Sequence, residues 1–134
     1  GIAILQGALV FDRGSLRWPG DLLHEAGHIA VTPASQRFAL AGALGHPVAD
    51  PSDEREVEAI AWSFAAITHL GIEPSVLFHT EGYKGRSAAL LLTFAVGVYP
   101  GAFGLASAGM TLVGADAKAA SVPPYPHMIR WLRN

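Results

Sequence analysis

The sequence predicts a single α+β domain over residues 1–134. Three observations predict it: short apolar runs around a glycine-containing turn near the start, two capped helical segments at 22–31 and 54–70, and a charge-free second half interrupted by glycine and proline. A chain of 134 residues can bury one real core but leaves nothing for a separate substrate domain.

Composition narrows the function classes. A net charge of -2 with 15% charged residues provides no basic face, which argues against nucleic acid and against anionic lipid as partners. With no cysteine there is neither a disulfide scaffold nor a thiolate metal site, so any metal must be held by histidine and carboxylate. A reducing cytoplasm is the compartment expected. The first residues, Gly1 to Leu5, carry no charged leader and no long apolar region of a secretory signal. Gly1 stands where a start would place Met, which points to a tag scar or trimming and to a missing upstream segment.

Taken in chain order, Ala8–Phe11 and Leu16–Trp18 flank the turn residues Asp12 to Ser15 and predict a β-hairpin. Pro19-Gly20 breaks the second strand, and Asp21 is a good N-cap for a helix from about Leu22 to Val31, stopped by Thr32-Pro33. Residues 33–45 are weakly helical, and His46 to Asp53 has turn chemistry. The strongest helix begins near Glu54, runs through Leu70 and is closed by Gly71. A short helix or strand follows through Phe78, then a loop from His79 to Gly85. Ser87–Val98 reads as a buried helix and 102–109 as another; the proline-bearing tail is extended until a last turn near Met128 to Leu132.

Between Arg86 and Asp116 no charged residue occurs, a length that invites a membrane reading. Pro100 with Gly97, Gly101 and Gly104 interrupts the run, which suits two packed helices better than one spanning helix, so buried core is the expectation and membrane is not.

The chemistry-bearing word is His24-Glu25-Ala26-Gly27-His28, an HExxH pattern. On a helix the two histidines, four apart, project from one face as metal ligands, and Glu25 beside them can serve as general base towards an activated water. Gly27 costs about 1 kcal/mol relative to alanine inside a helix, and its place between the ligands points to a close backbone approach. A catalytic zinc needs a third protein ligand. A histidine six residues after the second is excluded, because position 34 is Ala34. The 54–70 helix offers Glu56, which borders the apolar stripe on the side of Ile60, Ser63 and Ile67, or Glu58, on the side of Glu54, Trp62, Ala65 and His69.

His46, His69 and His127 read as structural or surface residues. His79 and Tyr83, on one glycine-containing loop, are candidates for contacting a substrate or stabilising an oxyanion. Asp21 has two readings, helix cap or acceptor orienting His24.

HEAGH on one helix, a carboxylate on the next and an N-terminal strand pair resemble the small gluzincin-like zinc metallopeptidases. The chain also looks like the short regulatory metallopeptidases of bacteria and phages, whose ligand helix reads as Glu, two residues, Ala, two residues, Phe-Ala. Glu58, Ala61, Phe64 and Ala65 fit that spacing, whereas Glu56 and Ala59 fit only its first half. The wider wording GDLLHEAGH, AIAWSFAA and GYKG is similar to a group of uncharacterised bacterial proteins of about this length. The resemblance implies a minimal zincin-like domain, Zn2+, and a peptide or protein substrate hydrolysed with Glu25 as base. A zinc-binding regulatory or interaction protein on the same fold is the alternative.

Overall fold

A computed structural model describes residues 1–43 and 54–134. The expected loop from His46 to Asp53, and His46 itself, lie outside the described residues.

The chain is α+β. Strand β1 (Ile2–Leu5) alternates buried Ile2 and Ile4 with more open neighbours, the period of a half-buried strand. It pairs antiparallel with β2 (Ala8–Phe11), Leu5 opposite Ala8. The two-residue turn between them, Gln6-Gly7, has positive φ at both positions (51° and 75°), the handedness that matches strand twist. Glycine is needed at the second, because a Cβ on Gly7 would lie 2.6 Å from the Arg37 carbonyl oxygen.

The hairpin is therefore not the one the turn residues predicted. Ala8–Phe11 is a strand, but it folds back on Ile2–Leu5, and Leu16–Trp18 forms no strand. Asp12 to Ser15 instead make a local turn in which Gly14 N donates to Asp12 Oδ1 (3.0 Å). A third strand, β3 (Ala41–Ala43), adds antiparallel to the other side of β1, for a sheet order β2-β1-β3.

Helix α1 (Gly20–Val31) starts after Pro19 with no side-chain cap, so Asp21 lies inside its first turn and does not cap it. It ends where Thr32 Oγ1 donates to the His28 carbonyl (2.7 Å) and Pro33 forbids continuation. After the short α2 (Ala34–Arg37), helix α3 (Glu54–Leu70) crosses the middle of the molecule. Gly71, at φ 69°, turns the chain out of it, and Ile72 N donates back to the Ile67 carbonyl (2.9 Å), as the capping glycine predicted. Ala59, Ala61, Ser63, Ala65 and Ile67 of α3 are buried, so its small side chains let neighbouring helices approach. Helix α1 packs along one face of α3, with α4 (Pro74–Leu77) and α6 (Ala102–Ser107) around it.

A 3-10 turn at Tyr83–Gly85 leads into α5 (Ser87–Ala95), shorter than the predicted 87–98 because Gly97, at φ 81°, breaks it. The buried-core reading of residues 87–115 holds only in part. Phe94, Ala102, Leu105 and Met110 are buried, but Leu92 (66% exposed), Val96 (67%) and Phe103 (77%) face outward. Helix α5 is apolar on every side, while only the Phe94 side meets aromatic neighbours, Phe64 at 4.6 Å and Phe78 at 5.4 Å between ring centroids. Among the described residues no helix is long and apolar enough to cross a membrane.

Helix α7 (Gly114–Ala120) was not anticipated, although its run of alanines is a strong helix signal. The tail has no helical turn at Met128 to Leu132; it bridges Met128 to Thr111 and hooks Arg133 N onto the Ala30 carbonyl (3.0 Å) at the end of α1.

Candidate metal centre

Helix periodicity brings His24 and His28 to one face of α1, one turn apart, opposite the first turns of α3. There the three ligand-type groups converge. His24 Nε2 lies 3.2 Å from Glu56 Oε1, His28 Nε2 2.9 Å from Glu56 Oε2, and the two Nε2 atoms are 3.1 Å apart. Among the described residues, His24, His28 and Glu56 are the group whose donor atoms could hold a metal ion.

Protons alone do not satisfy this arrangement well. Two neutral imidazoles can place only one hydrogen between facing Nε2 atoms, and the buried Glu56 Oε2 finds no well-directed hydrogen bond despite its closeness to His28. A tetrahedral cation with bonds of about 2.0–2.1 Å would set its ligand atoms roughly 3.4 Å apart, close to what the side chains already adopt. Burial by itself would push the Glu56 carboxyl up, but the closeness of the His24 and His28 imidazoles outweighs it and holds the group well below the usual carboxylate range. Glu56 is thus an anion facing two imidazoles. His28 is the more open of the two histidines, with 28% of its side chain exposed against 13% for His24, so solvent reaches the group from that side.

Glu58 points elsewhere. Two residues along a helix is a rotation of about 200°, and Glu58 sits against Gly104 of α6 with Arg133 Nη1 3.6 Å from its Oε2. Glu56 lies beside the two histidines, on the side the facing argument gave it, and Glu58, which fits the spacing with Ala61, Phe64 and Ala65, lies away from them. Glu25 is half-buried beside His24, and its charge is one of three that raise the Tyr83 ionisation.

His79 and Tyr83 occupy different places. His79 is buried, stacked on Trp18 (ring centroids 4.4 Å apart, planes within 3°), with Nε2 2.7 Å from Asp21 Oδ1. Its ring is thus engaged on one face by Trp18 and at Nε2 by Asp21. Asp21 is engaged with His79, so it neither caps α1 nor orients His24. Tyr83 does reach the centre: its Oη is 3.4 Å from His24 Nδ1, and its ring meets the imidazole edge to face at 5.2 Å. Sequence reasoning missed the Asp21–His79 pair, because the two are 58 residues apart and no local pattern links them. His69 and His127 line a separate groove of about 400 Å3 with Thr68, Pro124, Pro126, Met128 and Trp131.

Comparison of the chain with protein-family models, with curated proteins and with solved structures finds no match.

Proposed function

We propose that the protein is a zinc-dependent metallopeptidase on a minimal zincin-like fold, with His24, His28 and Glu56 as ligands and Glu25 as general base. The convergence of two Nε2 atoms and one carboxylate within 2.9–3.2 Å of each other carries this reading. Three protein ligands without a thiol, one side open to solvent, and a further carboxylate adjoining the first ligand are the parts that hydrolytic zinc sites use.

When bound, the ion would lower the pKa of a coordinated water towards about 7 and polarise a scissile carbonyl. The chain's own groups do the rest. Glu25 accepts the proton from the attacking water and delivers it to the leaving amine. Strand β2, whose outer edge pairs with no strand among the described residues and which packs beside α1, offers backbone groups along which an extended peptide can lie. With no thiolate ligand and no disulfide, the centre is suited to a reducing cytoplasm.

The test is hydrolysis of a mixed peptide library by zinc-loaded protein, wild type against Glu25→Gln. The variant should keep one zinc per chain and lose about 10²–10⁴-fold in rate. Zinc retention with no hydrolysis in either protein would instead favour the regulatory reading, and undiminished activity in Glu25→Gln would remove Glu25 as base.

A further inference from the structure

We infer that the segment His79–Gly85 is a positioning loop for the metal centre, in which Tyr83 holds the Nδ1 edge and the ring plane of His24. This role rests on His24 being a metal ligand, and it replaces the expectation that Tyr83 contacts substrate.

The two nitrogens of His24 face different neighbours. Nε2 looks to Glu56 and His28, and Nδ1 looks to Tyr83 Oη. The phenol hydroxyl therefore meets the ring edge remote from the ligand atom. For Nε2 to offer a lone pair, the ring hydrogen must sit on Nδ1 and needs an acceptor there. Tyr83 Oη lies 3.4 Å from that nitrogen, with an oxygen able to accept the hydrogen. The edge-to-face contact at 86° between ring planes opposes rotation of the imidazole.

The loop is built to hold Tyr83 there. Tyr83 and Lys84 both adopt left-handed backbone conformations (φ 55° and 53°), which non-glycine residues hold only where the surroundings impose them. Those surroundings are visible. His79 donates to Asp21, which lies one turn before His24 on α1, so the loop grips the same helix at two successive turns. Trp18 stacks on the His79 ring, Ser87 Oγ donates to the Gly82 carbonyl (3.1 Å), and a Cβ on Gly82 would crowd His79 Cε1 at 3.1 Å.

The experiment is 15N–1H NMR of the histidine side chains in zinc-loaded protein, paired with zinc affinity measured against a chelating dye. In the wild type the His24 Nδ1 hydrogen should be visible and slow to exchange with water. Tyr83→Phe, which keeps the ring and removes only Oη, should speed that exchange and weaken zinc about 10–100-fold, with unchanged stoichiometry. His79→Ala should speed the exchange as well by releasing the loop; if that variant fails to fold, Tyr83→Phe still decides. An unchanged exchange rate or an unchanged zinc affinity in Tyr83→Phe would overturn the role. Failure of the metal reading looks different: the wild type would then bind no zinc, whatever residue 83 is.

Discussion

Gly27 of α1 lies so close to α3 that a Cβ there would come within 2.7 Å of the Ala59 carbonyl oxygen and 2.9 Å of Ser63 Oγ. Gly27 sits between His24 and His28, and Ala59 lies one turn beyond Glu56. The helices are in tight contact beside the proposed metal centre, and the missing side chain lets the carboxylate come within reach of both imidazoles.

Gly27→Ala should therefore destabilise the protein, although alanine is the better helix former by about 1 kcal/mol. Overpacking against backbone costs roughly 1–3 kcal/mol and should outweigh that gain. Urea unfolding would show a lower midpoint, and zinc affinity would fall with it as α1 moves off α3. A midpoint at or above the wild type would mean that the contact relaxes freely.

Glu56→Gln and Glu58→Gln should separate cleanly. The first removes the carboxylate proposed as a ligand, beside His24 and His28, and metal content after dialysis, read by elemental analysis, should fall to near zero. The second loosens a partly exposed pair with Arg133 and should leave metal content unchanged. The same measurement identifies the metal, since two histidines and one carboxylate also suit iron(II) when more positions stay open.

Asp21→Ser distinguishes a cap from a partner. Serine is as good an N-cap as aspartate, so a capping role predicts little change. Because Asp21 Oδ1 instead receives His79 Nε2, the variant leaves a buried imidazole without its partner, and thermal unfolding should report a loss of about 1–3 kcal/mol.

Alkaline pH should weaken the fold through Tyr125. Its Oη donates to the Ala61 carbonyl (2.8 Å) inside the core, and burial, then the neighbouring Tyr99, raise its ionisation above the ordinary 10.0. The folded state thus holds the phenolic proton more tightly than the unfolded chain. The stabilisation is complete below about pH 10 and is lost as pH rises beyond it, by about 1 kcal/mol per unit. Urea midpoints at about pH 8 and pH 11 should differ less in Tyr125→Phe than in the wild type, with Tyr83 supplying part of the remaining slope.

Elements with a strong local signal were legible in advance. The 54–70 helix and its glycine stop, and the helix carrying HEAGH, follow from periodicity and turn chemistry that act within a few residues. The hairpin was misplaced because Gln6-Gly7 is a weaker turn signal than the Asp12 to Ser15 cluster; the outcome depended on Ile2 and Ile4 having a core to enter. The extent of burial along 87–115 was equally hidden, since hydropathy does not state how many sides of a helix find neighbours.

By itself the sequence determined that two imidazoles share a helix face one turn apart with a carboxylate beside them, because helical geometry is local and needs no partner. Only the tertiary structure decided which glutamate completes the group, what Asp21 binds, and which edge of His24 meets Tyr83. Each depends on how closely and at what rotation separate segments pack, and Gly27 against Ala59 sets that for α1 and α3.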